Sequence, residues 1–168
     1  MNARLVARGG LYAAAYVALT LAPGLNALAY GQVQFRVSEA LLPLACVDPA
    51  AVPGLTLGTA IGNVASPMGA VDVVYGALLT LVAATLMWWI GPRMVALAVP
   101  VAVNGLGVPV ELRLLLDVPY LAGVLWVSLG EAAVMATGGL AVLVLARRQR
   151  FGTGAGRRDE RDEREVRG

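Results

Sequence analysis

Residues 71–90 read VDVVYGALLTLVAATLMWWI, a run of twenty residues with one charge, Asp72, near its start. Twenty residues of α-helix extend about 30 Å, which is the thickness of the hydrocarbon core of a bilayer. Gly91 and Pro92 follow the run, and both residue types commonly end helices. This stretch predicts a membrane-spanning helix and guides the interpretation of the rest of the chain.

The composition of the whole chain also indicates a lipid environment. Of its 168 residues, 58% are hydrophobic and 14% are charged. Soluble domains have roughly 45–50% apolar and about 25% charged residues. A soluble protein of this size could not bury such an excess of apolar surface, because its surface is large relative to its volume.

Five further apolar segments are each bounded by a charged residue, a proline or a glycine. Together with the first, the predicted helices cover residues 5–22, 38–47, 49–64, 71–90, 94–112 and 120–146. The second segment has only about ten residues, so it crosses a bilayer only if flanking residues or tilt extend it. We expect an all-α integral membrane bundle of about six transmembrane helices.

The arginines predict how this bundle is oriented, because they are enriched on the cytoplasmic side of membranes. With the N-terminus inside and six spans, six arginines flank the cytoplasmic side and two the outer side: Arg4, Arg8, Arg93, Arg147, Arg148 and Arg150 against Arg36 and Arg113. Both termini are therefore expected in the cytoplasm, with the chain multi-pass in the cell (inner or plasma) membrane.

The end of the chain differs in composition from the rest. The chain has 13 basic and 11 acidic residues. Ten of these charged residues lie between Arg157 and Arg167, where arginines are interspersed with acidic residues. Such a segment has no apolar face to bury. We expect residues 1–150 to form the membrane domain and residues 151–168 a charged, disordered cytoplasmic tail. Because the charges concentrate there, the net charge of +2 does not indicate a nucleic-acid partner.

Polar residues within the apolar segments mark candidate functional positions, since a charge in hydrocarbon costs several kcal/mol unless it is paired or hydrated. The candidates are Gln34, Arg36, Glu39, Asp72, Asn104, Glu111 and Glu131. Glu131 lies deepest in its segment, and no basic residue is near it in the sequence. Asn104 and Glu111 are seven residues apart and therefore share a helix face. The set predicts a polar pocket that opens to the outer side.

Structural roles are alternatives for several of these residues. Arg36 could pair with Glu39 one helical turn away, and Asp72 could cap the fourth helix. Glu111 could pair with Arg113 or with a water molecule at the lipid interface.

A strip of small residues on the first predicted helix includes Ala14 and Ala18, four residues apart. Small residues at this spacing let a second helix approach closely. The strip could serve internal packing or the docking of a partner protein.

The residue types that are missing exclude several kinds of catalysis. The chain has no histidine and no lysine, and its one cysteine is Cys46. Histidine-based acid–base catalysis, thiolate clusters and phosphate loops that end in lysine are therefore excluded. We expect a protein that is not an enzyme and that holds no metal ion and no cofactor of its own.

Several of the polar residues belong to strings that resemble the QueT family of queuosine-precursor transporters. The strings are VQFRVSEAL at 33–41, PGL at 53–55, GN at 62–63, SPMGAVDVVYG at 66–76, NG at 104–105, EL at 111–112 and SLGEA at 128–132. The resemblance covers roughly residues 5–146.

This resemblance implies the substrate-binding S component of an energy-coupling factor importer. Such a subunit captures a 7-deazaguanine base from outside and docks on a transmembrane coupling subunit, which two partner ATPases drive with ATP. Ala14 and Ala18 would face the coupling subunit.

The implied ligand suggests a role for each polar residue. Glu131 would accept the N–H donors of the guanine-like edge, and Glu111 or Asp72 would bind a cationic arm. The remaining contacts would be hydrogen bonds from Asn104 and Gln34, stacking on Phe35 or Trp126, and a loop over the pocket held by Arg36 and Glu39. Three alternatives stay open: an S component for another vitamin-like substrate, a self-sufficient proton-coupled transporter, and an assembly protein with no small-molecule ligand.

Overall fold

The computed structural model describes residues 3–24 and 35–148. Within these ranges the chain forms six helices: α1 (Ala3–Leu21), α2 (Val37–Cys46), α3 (Ala51–Gly62), α4 (Ala70–Ile90), α5 (Ala98–Leu116) and α6 (Tyr120–Val134). A 3₁₀ turn extends α3 to Ala65, and another, beginning at Met94, leads into α5. A π turn, Met135–Gly139, carries α6 on to Arg148.

All six predicted segments are confirmed as helices, with ends that differ by at most four residues. Three of the helical stretches are long and apolar enough to cross a membrane: Ala70–Ile90, Met94–Leu116 and Tyr120–Arg148. The short apolar helices Val37–Cys46 and Ala51–Ala65 fall below that length. The six crossings and the cytoplasmic ends stay predictions, and the predicted tail lies outside the described residues.

Large apolar residues lie on the surface and charged residues lie in the interior, the reverse of the arrangement in soluble proteins. Leu121, Leu114 and Val64 are 80%, 76% and 73% exposed. Glu131 and Arg36, by contrast, are 3% and 8% exposed. A surface this apolar around a polar interior is suited to lipid rather than water. The fold is that of a helical membrane protein.

The short helix α2 is a 3₁₀ helix over its whole length, although such runs rarely exceed three or four residues. A 3₁₀ helix has three residues per turn, so residues three apart point in the same direction. Arg36, at the start of α2, therefore lies in line with Glu39 and Leu42. Both Glu39 and Leu42 are buried, and this side of α2 faces the interior of the bundle.

Glycines of α3 bring α1 into close contact. Gly54 and Gly58 lie one helical turn apart, and a Cβ at Gly54 would come within 2.5 Å of the carbonyl oxygen of Gly9. A Cβ at Gly58 would lie 2.8 Å from Cβ of Tyr16. Because Gly54 and Gly58 have no side chains, α1 packs closely against α3 and Tyr16 extends past α3 into the interior.

Two apolar clusters lie on either side of the polar interior. One is formed around Tyr16, Leu42, Met87 and Leu143, and the other around Val108, Leu112 and Val127. Asn104 on α5 and Glu131 on α6 fall between members of these two clusters in the sequence. The packing of the bundle thus fixes the depth at which the polar side chains meet.

Candidate functional site

Four helices enclose a small polar pocket in the interior of the bundle. Its lining residues come from the start of α2, from α4, α5 and α6: Arg36, Glu39, Gly76, Leu79, Thr80, Asn104, Val108, Val127 and Glu131. In this conformation the cavity volume is about 10 Å³, about the space that one water molecule requires. A larger ligand therefore needs the surrounding side chains to separate.

Arg36 and Glu39 reach across to two different helices. Nη2 of Arg36 lies 3.2 Å from Oδ2 of Asp72 on α4, and both side chains are buried. The hydroxyl of Tyr16 on α1 donates a hydrogen bond to Oε1 of Glu39. These two contacts tie α2 to α4 and to α1 and hold both charged groups against the pocket.

Asp72 has a second partner on its other carboxyl oxygen. Nδ2 of Asn63 donates to Oδ1 of Asp72 at 2.9 Å and to its backbone oxygen at 2.8 Å. Gly76 makes room for this arrangement, because a Cβ there would lie 2.4 Å from Nδ2 of Asn63. Asp72 therefore does more than cap α4: both of its carboxyl oxygens are held by side chains from other parts of the chain.

Glu131 lines the pocket from α6, together with Glu39 from α2 and Asn104 from α5. The side-chain amide of Asn104 interacts with the carboxyl groups of both Glu131 and Glu39. Oε1 of Glu131 and Oε2 of Glu39 are buried and have no hydrogen-bond partner among residues 3–24 and 35–148. Buried polar atoms nearly always find a partner. These two oxygens are therefore candidate ligand contacts.

Glu111 lies on α5, one turn beyond Val108 and on the same face as Asn104. It is 3% exposed, and neither of its carboxyl oxygens has a hydrogen-bond partner within the described part of the chain. The alternative of a pair with Arg113 is wrong, because Arg113 forms an exposed ion pair with Asp117 instead. Arg113 lies two positions after Glu111, about 200° around the helix, and therefore points away from it.

Some predicted ligand contacts do not line the pocket. Trp126 is 45% exposed on the outer side of α6, and the pocket contact at this level is its neighbour Val127. A residue four positions before Glu131 shares its helix face, whereas one five positions before does not. Trp126 therefore lies outside the pocket lining in this conformation, and its stacking role stays a prediction. Phe35 is half-buried and packs near Val134 rather than against the pocket. Gln34 lies outside the described residues.

Two polar residues of the interior were missed in the sequence. Tyr16 is fully buried and holds Glu39. Thr80 lines the pocket, and its hydroxyl donates to that of Thr59 at 3.0 Å, because Thr59 donates its own hydrogen to the backbone oxygen of Leu55. A signal was present in both cases: Thr80 lies eight residues after Asp72, and Tyr16 lies four before Thr20, so each pair shares a helix face.

The predicted docking residues Ala14 and Ala18 lie on the outer face of α1. Both are exposed, while Tyr16 and Thr20 of the same helix are buried. The strip is therefore not used for packing within the described residues, since α1 meets α3 through Gly9, Ala13 and Tyr16 instead.

Metal binding requires several ligands that converge on one point. Within the described ranges, no three His, Cys, Asp or Glu side chains are grouped so that they could hold a metal ion.

An apolar exterior around a polar pocket between several helices defines this chain as a helical membrane protein with a polar interior. The family model of the QueT transporter matches residues 6–148, and the chain belongs to this family. It is therefore a transport protein and not an enzyme.

A curated relative supports the same assignment. The queuosine precursor transporter QueT of Lactococcus lactis subsp. cremoris (strain MG1363) is 32% identical over 152 residues, which cover 82% of this chain and 89% of that protein. No solved structure is significantly similar to the chain.

Proposed function

We propose that this protein is the substrate-binding S component of an energy-coupling factor importer and that it captures a queuosine precursor, a 7-deazaguanine base, from outside the cell. Membership of the QueT transporter family supports a transport role. The name of the Lactococcus lactis relative supports the substrate class. The S-component role follows from the resemblance of the sequence strings to that family.

The observation that carries the substrate is the pair of buried, unpartnered carboxyl oxygens on Glu131 and Glu39. A guanine-like edge presents a ring N–H and an exocyclic amino group side by side. Carboxylates accept two such donors well, and charge-assisted hydrogen bonds of this kind are strong in a dry site. The amide of Asn104, which faces both carboxyl groups, would then donate to the carbonyl oxygen of the base.

The partners follow from the S-component role. Ala14 and Ala18 form an exposed small-residue strip on α1, and such strips allow close helix–helix approach in membranes. We assign this strip to the transmembrane coupling subunit. The two ATPase subunits of the importer would supply the energy from ATP, so this chain would require no cofactor of its own.

Binding by the purified full-length protein in detergent tests the proposal. We expect a 7-deazaguanine base to bind tightly, and guanine and a panel of vitamins to bind weakly. In the variant Glu131→Gln the base should lose at least about 100-fold in affinity, about 2.7 kcal/mol, because an amide replaces a charged acceptor of two hydrogen bonds. Isothermal titration or tryptophan fluorescence would measure these affinities.

The matched control is Asp117→Asn, the same carboxyl-to-amide change at a side chain that is 90% exposed. The affinity of Asp117→Asn for the 7-deazaguanine base should equal that of the wild type. Selective binding of a vitamin with no binding of deazaguanines would overturn the substrate. An affinity that Glu131→Gln leaves unchanged would remove the role of this residue.

The buried carboxyl groups also favour a second candidate, because intramembrane carboxyls serve proton coupling in transporters. A proton-coupled transporter would take up the base alone, in vesicles without ATP, and a protonophore would stop the uptake. An S component would bind the base in such vesicles but would accumulate it only together with the coupling subunit and ATPases.

A further inference from the structure

The hydrogen bonds proposed for the base do not use Glu111, which the family resemblance gave with Asp72 as a candidate for binding a cationic arm. Glu111 is only 3% exposed, and both of its carboxyl oxygens lack a hydrogen-bond partner within residues 3–24 and 35–148. Burying an unpartnered carboxyl group is costly. Such a group in a folded protein requires an explanation, and a ligand that supplies the missing donors is one.

Asp72 is nearby but is not available in the same way. Its Oδ2 accepts from Arg36 at 3.2 Å and its Oδ1 from Asn63 at 2.9 Å. A ligand cation could bind Asp72 only by displacing one of these partners. Glu111 offers two free oxygens at the same end of the site, since it lies within electrostatic range of both Asp72 and Arg36.

The position of Glu111 relative to the pocket limits what can reach it. Glu111 is seven residues beyond Asn104 on the same face of α5, which is about 10 Å along the helix. A planar base held at Glu131 and Asn104 therefore reaches Glu111 only through a substituent on the side opposite its guanine-like edge.

The surroundings of Glu111 favour a positive charge on that substituent. Two arginines lie near Glu111: Arg113 on α5 is directed outward to Asp117, and Arg36 is ion-paired with Asp72 at 3.2 Å. Tyr75 lies close to Glu111, and its hydroxyl donates to the backbone oxygen of Gly107, one helical turn before Glu111, at 3.2 Å. A carboxylate beside an aromatic ring is a good site for an ammonium group, through ion pairing and through the π face of the ring.

We propose that Glu111 is a specificity-determining residue that binds an alkylammonium arm of the ligand, so that the protein selects a cationic 7-deazaguanine over a neutral one with the same ring. This inference rests on the proposed function and deepens it. A neutral substituent would leave the buried carboxyl of Glu111 unpartnered in the complex as well, and a site rejects a ligand that leaves its buried polar groups unpaired.

The test compares two bases that share one ring: 7-aminomethyl-7-deazaguanine, which is cationic, and 7-cyano-7-deazaguanine, which is neutral. With the full-length wild type in detergent we expect the aminomethyl base to bind at least tenfold more tightly. In Glu111→Gln this ratio should fall to about one, through weaker binding of the aminomethyl base and a twofold or smaller change for the cyano base.

Glu131→Gln is the matched control, since it should weaken the binding of both bases to a similar degree and preserve the ratio of their affinities. Equal affinity of the wild type for the two bases would overturn the role of Glu111 and leave the proposed function intact; this measurement needs no variant. An equal loss of affinity for both bases in Glu111→Gln would also overturn the role of Glu111 and leave the proposed function intact. If neither base bound the wild type, the proposed function itself would fail.

Discussion

The ion pair between Arg36 and Asp72 shows how single residues hold the site together. Their side chains are 9% and 3% exposed, and Asn63 donates to the second oxygen of the same carboxylate. Removing one partner of a buried pair leaves an uncompensated charge in a site of low dielectric constant. This pair therefore connects α2 to α4 more strongly than an exposed pair could.

We predict that Asp72→Asn destabilises the protein by about 3–5 kcal/mol, because the guanidinium of Arg36 loses its charged partner. Thermal unfolding in detergent should show a melting temperature lower by about 5 °C or more. The exposed pair provides a matched comparison: Asp117→Asn should change stability by less than about 1 kcal/mol. Equal effects of the two variants would contradict a structural role for the buried pair.

At the scale of helices, the contact between α1 and α3 depends on glycines of α3, which have no side chain. A Cβ at Gly58 would approach the carbonyl oxygen of Ala13 to 3.0 Å as well as Cβ of Tyr16 to 2.8 Å. Backbone atoms and Cβ atoms cannot rotate out of the way as the end of a long side chain can. An added methyl group must push the two helices apart.

We predict that Gly58→Ala destabilises the protein by about 1–3 kcal/mol, the usual cost of overpacking. The displacement should also weaken ligand binding, since Tyr16 of α1 holds Glu39 in the pocket. Gly10→Ala is the control: Gly10 follows Gly9 on α1 but is exposed, and nothing lies within 4 Å of a Cβ at this position. Alanine there should be neutral or stabilise by up to about 1 kcal/mol, because it is the better helix former.

These expectations would be contradicted if Gly58→Ala melted at the temperature of the wild type. Thermal unfolding would measure the stability of both variants, and titration with the deazaguanine would measure their affinity.

At the scale of the whole molecule, α1 has one buried and one exposed face. Tyr16 and Thr20 face the interior, where the hydroxyl of Thr20 donates to the backbone oxygen of Tyr16 at 2.9 Å and accepts from the hydroxyl of Ser38 at 2.8 Å. Ala14 and Ala18 face outward and are exposed. One helix therefore separates the ligand pocket from the surface that we assign to the coupling subunit.

We predict that Ala14→Leu and Ala18→Leu leave ligand affinity within about twofold of the wild type but prevent assembly with the coupling subunit, because larger side chains block close helix approach. Co-purification with a tagged coupling subunit would measure assembly. Ala133→Leu is the control, since Ala133 is an exposed alanine on α6 and should assemble normally. Normal assembly of both α1 variants would rule out the strip as the docking surface.

The sequence by itself determined the six helices and most of the polar residues of the interior. Helix length, apolar composition and the positions of proline and glycine are local properties, so they can be read from neighbouring residues. A charge within an apolar segment is likewise visible in the sequence, and Glu39, Asp72, Glu111 and Glu131 are all buried as expected.

Only the tertiary structure decided which of these carboxyl groups are already paired. Asp72 is bound by Arg36, 36 residues earlier, and Glu39 by Tyr16, 23 residues earlier, whereas Glu111 keeps both oxygens open. The 3₁₀ form of α2 and the glycine contact between α1 and α3 set these pairings. Partners in different helices depend on how the helices pack, and periodicity within one helix carries no information about that distance.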